Sequence, residues 1–325
     1  MRAFDYTATD NVNQALRLAT TDSAFLAGGT TLVDLMKLDV MAPRRVIDIN
    51  ALDLRGITVN HSGLRIGAME RMSDVATNRD VADHYPVIAK ALLLSASGQV
   101  RNMASVGGNL LQRTRCEYFR DTRTPCNKRE PGTGCPARTG ENRNHAVLGA
   151  SEACVATHPS DLAVALVALG TQIRLRSRDG ARQLDLAEFY RLPGDTPHLE
   201  NRLRQGELIT DVLVPALPWA RRSTYLKIRD RTSFEFALTS AAVALDLRDD
   251  IIRDARIAVG GVGTRPWRLK AVEQALCGQR PTPETVTAAA AHAAEGAEPL
   301  AHNGFKVTLV QRTIIRAVLG LAGRR

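Results

Sequence analysis

Residues 111–157 are a stretch of over forty residues rich in arginine, glycine and proline, with little apolar periodicity. Connections inside compact domains are usually far shorter, so order in such a segment has to come from somewhere other than a hydrophobic core. Four of the chain's five cysteines fall here: Cys116, Cys126, Cys135 and Cys154, spaced C-x9-C, C-x8-C and C-x18-C. Free cysteine prefers apolar interiors, so four thiols gathered in a polar loop point to cross-linking or ligation. None of the spacings is the short C-x2–4-C knuckle usual for structural zinc, and the usual ferredoxin spacing is absent. Spacing alone leaves open an iron–sulfur cluster, zinc, two disulfides or unrelated thiols. The surroundings favour an anionic cluster. Residues 101–144 carry nine Lys or Arg against four Asp or Glu, and cations and backbone N–H groups stabilise negative charge on thiolate and sulfide. Ligation would also keep a coreless loop folded. His145 and His158 lie in or beside this loop and are expected to be structural or to line a cofactor. Cys277, in an amphipathic pattern, is expected in the core.

The rest of the chain is ordinary for a globular protein, with 44% hydrophobic and 24% charged residues. Its 325 residues allow two domains. No apolar run approaches the roughly 20 residues that span a bilayer, so no membrane span is expected. The opening "MRAFDYTATD" lacks the apolar stretch of a secretory signal; the expectation is a chain without an export signal of its own, exported, if at all, with a signal-bearing partner. A net charge of +9 raises the question of nucleic acid. Scattered arginines, only 4% aromatic residues and no nucleic-acid motif argue instead for an anionic cofactor or an acidic partner subunit.

Periodicity predicts a helix over 12–19, then strand, glycine turn and helix over 23–37, short strands at 44–50 and 63–69, and a helix from Pro86. A helix is predicted over 160–170 with Ser160 or Asp161 as cap, and strands at 171–177 and 207–217. Prolines and arginines at 215–223 mark a boundary, giving expected units 1–218, with the 111–157 insertion, and 219–325. Two small-residue turns, "AGGTT" at 27–31 and "VGGNL" at 106–110, share one logic. Adjacent glycines let the backbone turn through φ > 0 and bring bare N–H groups to an anion, and Thr30, Thr31, Ser105 and Asn109 add side-chain donors. Two such turns can hold the two phosphates of a dinucleotide from opposite sides. Neither fits the G-x-G-x-x-G or P-loop patterns.

The order "LAGGTTLVDLMK", "QVRNMASVGGNL", "THPSDLAVAL", "YLKIRDRTSFEFALTSAAVAL" and "RIAVGGVGTRPWRLKAVEQAL" resembles the FAD-binding subunit of the xanthine dehydrogenase and molybdenum aldehyde oxidoreductase family, over nearly the whole chain. The resemblance implies an α+β fold: a two-part FAD-binding domain of the p-cresol methylhydroxylase and vanillyl-alcohol oxidase type, followed by a small α+β domain found in molybdenum hydroxylase flavoproteins. It implies that Leu26, Ala27, Gly28, Gly29, Thr30, Thr31, Leu32 and Val33 wrap the FAD pyrophosphate, and that Ser105, Gly107, Gly108 and Asn109 approach from the second turn. Asp161 would bond the cofactor's hydroxyls, Lys227 would stand near the isoalloxazine, and Ile209 would press on the ring. The cysteine insertion is similar to the form found in bacterial periplasmic aldehyde oxidoreductase, which implies that Cys116, Cys126, Cys135 and Cys154 hold a [4Fe–4S] cluster near FAD. The implied partners are a large subunit with molybdenum cofactor and a small one with two [2Fe–2S] clusters, in a heterotrimer that passes electrons to an external acceptor. Competing readings are a xanthine dehydrogenase or 4-hydroxybenzoyl-CoA reductase flavin subunit, and a zinc-stabilised basic binding module.

Overall fold

The computed structural model describes residues 1–323; residues 324 and 325 of the expected C-terminal unit lie outside the described residues. Among the described residues three sheets organise the chain. The first is parallel, in the order Asp5–Ala8, Arg45–Asp48, Ser23–Leu26. The second is antiparallel, in the order Ile57–Asn60, Gly63–Gly67, Leu208–Pro215, Gln172–Ser177, Gly180–Asp185. Its central strand, Leu208–Pro215, is almost wholly buried, as its near-continuous apolar run "LITDVLVP" requires. The third is antiparallel, in the order Trp267–Arg268, Ile251–Gly260, Thr239–Arg248, Ser223–Ile228.

Helices fill the space between the sheets. Every residue of Asp161–Ala168 is buried, as expected of a helix that is apolar all round. It packs on Pro86–Leu93 and on both long strands of the third sheet, joining the two halves of the molecule. The long helix Phe305–Leu321 buries Lys306, Val310, Thr313, Ile314, Ala317 and Val318, a single stripe at helical spacing. That stripe lies against Thr239–Arg248 and Pro283–Ala291; each large apolar side chain so buried contributes about 1.5–3 kcal/mol. Among the described residues no helix is long and apolar enough to cross a membrane.

Three sequence expectations change. Residues 111–157 are not coreless. Phe119, Ala137 and Val155 are about 1% exposed, short helical turns form at Glu117–Arg120 and Pro136–Arg138, and Val147 and Leu148 belong to the core of the third sheet. Val147 and Leu148 both donate to the carbonyl of Val262, so the end of the insertion is stitched to the bend that follows the strand Ile251–Gly260, which no local pattern announces. The "VGGNL" segment, expected as a small-residue turn, is the short helix Val106–Leu110. Cys277 is exposed at the end of the helix Lys270–Leu276, not in the core, because its helix ends one residue before the pattern would turn it inward.

Candidate functional site

The first glycine turn is built by steric necessity. A Cβ on Gly28 would sit 2.0 Å from the carbonyl oxygen of Met103, so the turn lies directly on the end of the helix Gly98–Met103. Gly29 has φ +72°, the left-handed region that glycine enters without cost. Among the described residues the amides of Gly29, Thr30, Thr31 and Leu32 donate to no carbonyl or side chain. They are open donors ahead of the helix Leu32–Lys37, the arrangement that receives phosphate. A brace holds the two turns together: Asn50 Nδ2 donates to the Ala27 carbonyl at 2.8 Å, and Arg71 donates to Asn50 Oδ1 at 3.0 Å and to the Met103 carbonyl. Neither Asn50 nor Arg71 was legible as a site residue; a polar side chain bracing two backbone turns leaves no periodic signature.

The second turn works differently. The Val106, Gly107 and Gly108 amides already donate to Glu70 O, Ala68 O and Ser105 Oγ. Gly107 and Gly108 have no positive φ, so the expected φ > 0 logic applies at Gly29 alone. Gly107 is needed because a Cβ would press on Ala68 at 3.0 Å. What this turn presents outward is the bare Gly108 and the Asn109 side chain.

Between the turns lies a cleft of about 420 Å³, within the range of cofactor sites. Thr30, Thr31, Gly108, Asn109, Asp161 and Lys227 all line it. Leu26, at the end of the strand Ser23–Leu26, Val33, in the helix Leu32–Lys37, and Ser105, the cap of Val106–Leu110, do not line it. Ile209, 3% exposed, is core of the second sheet and does not line the cleft. Ser160, not Asp161, caps its helix by accepting from the Ala163 amide at 3.0 Å, and it donates to Asn109 Oδ1 at 2.6 Å.

Asp161 is therefore free for other work. Its Oδ2 accepts from Lys227 Nζ at 2.7 Å and Ser95 Oγ at 3.0 Å, and its Oδ1 accepts from Tyr225 at 2.7 Å. A carboxylate offers about four acceptor sites, which leaves about one. Lys227 uses a second proton on the Leu94 carbonyl at 3.1 Å and keeps a third. Burial, then the Asp161 charge, push the Tyr225 hydroxyl well above its ordinary range, so it stays a donor. The pair is nearly inaccessible to water, with side chains 1% and 7% exposed, so one acceptor and one cation face a desolvated cleft. Open amides, a carboxylate with spare capacity and a buried lysine suit a diphosphate, hydroxyls and a ring that gains negative charge on reduction, as FAD carries.

The cysteine loop docks on the same helix that follows the first turn. Asp34 pairs with Arg115 at 3.1 Å and Arg120 at 2.9 Å, and Leu35 packs with Phe119 and Cys126. All four loop cysteines, unpaired as disulfides, line one small void. Burial pushes the Cys116 thiol up to about 12, with the Phe119 amide opposing and neighbouring sulfurs adding to the shift; Cys154 and Cys135 are raised chiefly by burial too. Arg129 ties the loop by donating to the carbonyls of Tyr118, Phe119 and Thr124. His145 places Nε2 3.2 Å from the Cys116 sulfur. Burial, then Lys306, push its ring down to about 4, as burial does for His158, which lies edge-on to Tyr190. A second cavity of about 280 Å³ reaches Cys116 and His145 and shares Arg115, Pro159, Asp161 and Phe236 with the first cleft. Arg115 and Cys116, adjacent in the chain, thus link the cleft to the cysteines.

Residues 2–217 match the family described as FAD binding domain in molybdopterin dehydrogenase, and residues 224–321 match the CO dehydrogenase flavoprotein C-terminal domain. The chain is 45% identical to the aldehyde oxidoreductase FAD-binding subunit PaoB of Escherichia coli (strain K12), over 97% of this chain and 96% of that one. It is 27% identical to the carbon monoxide dehydrogenase medium chain of Hydrogenophaga pseudoflava, over 99% and 98% of the two chains. A solved structure of carbon monoxide dehydrogenase from that organism superposes with a TM-score of 0.76 at 26% identity, covering 99% of this chain and 98% of that one. With both parts of the fold accounted for, the chain belongs to the FAD-binding subunits of the molybdenum hydroxylase family and is an oxidoreductase subunit.

Proposed function

We propose that this chain is the FAD and [4Fe–4S] electron-transfer subunit of a molybdenum-containing aldehyde oxidoreductase. The observation that carries the reading is the convergence of Cys116, Cys126, Cys135 and Cys154 on one void that Arg115 and Cys116 connect to the FAD cleft. The aldehyde assignment is supported by the 45% identity to an aldehyde oxidoreductase subunit.

Bound FAD supplies chemistry that accepts electrons in pairs and releases them singly. The chain's part is to bind and orient. The open amides from Gly29 to Leu32 receive the diphosphate, with Leu26, Ala27, Gly28 and Val33 shaping the turn and Ser105, Gly107, Gly108 and Asn109 closing from the other side. Asp161 offers its remaining acceptor site to a hydroxyl, and Lys227 holds positive charge where the ring gains electrons. Ile209 supports the cleft from the core. The unit that binds FAD ends at 218, and 219–325 forms the C-terminal unit. The partners are a large subunit with molybdenum cofactor and a small one with two [2Fe–2S] clusters; their electrons leave through FAD to an external acceptor, and the assembly works in the periplasm after export with a signal-bearing partner. Work outside the cytoplasm and the lack of a further nucleotide fingerprint in the sequence support O2, a quinone-like dye or another one-electron acceptor as a much better acceptor than NAD+.

The test is to purify the chain with its co-expressed neighbours and measure flavin, iron and acid-labile sulfide per chain in the unmutated protein and in each Cys→Ser variant. Flavin with iron and sulfide, lost or converted when any of the four is replaced, is expected. Full iron and sulfide in all four variants would remove the cluster assignment.

A further inference from the structure

We propose that His145 is a positioning residue for the electron-transfer centre held by the four cysteines, donating its Nε2–H to the sulfur of Cys116 and keeping the centre's reduction potential high. The inference rests on the [4Fe–4S] reading above.

The geometry is specific. Nε2 stands 3.2 Å from the Cys116 sulfur, and the residue is 7% exposed. A ligating sulfur is a thiolate with no proton of its own, so the contact is a bond only when Nε2 carries the hydrogen. The other ring nitrogen, Nδ1, is buried and makes no hydrogen bond of ordinary geometry, the Asn142 backbone being only a weak neighbour of the ring that opposes the effect of burial. A proton placed there would be a buried donor without an acceptor, the costlier arrangement. The ring is also fixed from behind. Its own amide donates to Asn142 O at 3.0 Å, while its carbonyl accepts from Asn303 Nδ2 at 3.3 Å and Lys306 Nζ at 3.1 Å. Asn303 and Lys306 are fully buried and belong to the far end of the chain, where the helix Phe305–Leu321 begins. The C-terminal unit therefore sets where this imidazole sits.

Cys116 is the loop cysteine that faces both ways: it lines the cysteine void and the cavity that adjoins the FAD cleft. A donor aimed at this sulfur acts where charge exchanged with the flavin is felt most. An electron passed from reduced flavin would add one negative charge to the centre, and the Nε2–H donor of His145 would bind that more negative state more tightly. The proton stays on Nε2, and no covalent bond forms or breaks. A donor that binds the more negative state more tightly raises the potential, and more so where water is excluded.

The experiment uses the assembled enzyme with His145→Phe, which keeps an aromatic ring and removes the donor, and His145→Gln, which restores an N–H. Iron, sulfide and flavin are measured first, then the midpoint potential by EPR-monitored titration with dithionite and mediators. The expected result for His145→Phe is an unchanged metal content and a roughly tenfold loss in the reduction equilibrium constant, equivalent to about 59 mV for a one-electron couple, with most of it recovered in His145→Gln. An unchanged midpoint in a metal-replete His145→Phe enzyme overturns the inference. Should that variant fail to fold, pulsed EPR on the reduced, unmutated enzyme with 15N-labelled histidine decides the matter. A coupled histidine nitrogen and exchangeable proton are expected, and the lack of both overturns the inference. Unmutated enzyme without iron or sulfide would overturn the cluster reading itself, a result distinct from an intact cluster with an uncoupled histidine.

Discussion

Gly28 and Gly108 both belong to the two turns that flank the cleft, yet they are glycine for different reasons. A methyl on Gly28 would meet the Met103 backbone, whereas on Gly108 it would meet the Ser105 hydroxyl at 2.9 Å and otherwise face the cleft. Backbone does not yield as a small side chain does, so Gly28→Ala should cost stability of about 1–3 kcal/mol as an overpacked contact and lose FAD with it. Gly108→Val should fold and still bind less FAD. Urea midpoints together with flavin-to-protein absorbance ratios check both; stoichiometric FAD in a folded Gly108→Val variant would remove that glycine from the site. Lys227 and Asp161 give a second contrast. Removing one partner of a buried ion pair strands the other, so Lys227→Met should cost about 3–5 kcal/mol. Adding Asp161→Leu should cost much less than the sum of the two single changes, because the stranded charge is gone. A double-mutant cycle reads this coupling, and simple additivity would show that the two do not act as a pair.

At the scale of elements, the helix Asp161–Ala168 carries more than its eight residues suggest. Its cap, Ser160, also holds Asn109 of the second turn, so the start of one helix sets the donor of another. Ser160→Ala should cost about 1 kcal/mol as a lost cap, and it should weaken FAD binding as well, since Asn109 is released. A stability loss with unchanged FAD affinity by fluorescence titration would confine Ser160 to capping. The insertion makes the complementary point. Its ends are anchored to other elements, by Asp34 on one side and Val262 on the other, so its fold is shared with the structure around it.

The whole molecule carries a pH dependence. Burial pushes His158 down to about 4, below the ordinary value near 6.5. The unfolded chain therefore takes up this proton first as pH falls, and stability is present above pH 6.5 and lost on the way to pH 4. The loss from this one group is about 2–3 kcal/mol, in a window above most carboxylate titrations. Urea midpoints at pH 7 and pH 5 measure it; because burial lowers His145 to about 4 as well, His158→Phe should remove about half of the difference, and an equal slope in both proteins would place the cause elsewhere. The +9 net charge acts at the same scale: it favours association with acidic partner subunits, and raising the salt concentration should slow assembly.

Local pattern determined much of this protein. The strand Ser23–Leu26, the Gly28–Gly29 turn and the helix Leu32–Lys37 were readable because apolar spacing and paired glycines are local signals, and so were the apolar helix Asp161–Ala168 and the four-cysteine loop. Tertiary structure alone decided how those pieces work. Asn50 and Arg71 became a brace, Ile209 became core and not cleft, Cys277 stayed outside, and Lys306, a charged residue in an amphipathic helix, was buried against the carbonyl of a histidine 161 residues away. The physical reason is common to all of these. An apolar side chain announces burial by its period, but whether a polar one is buried depends on which distant groups satisfy its hydrogen bonds, and those partners are chosen only when the chain folds.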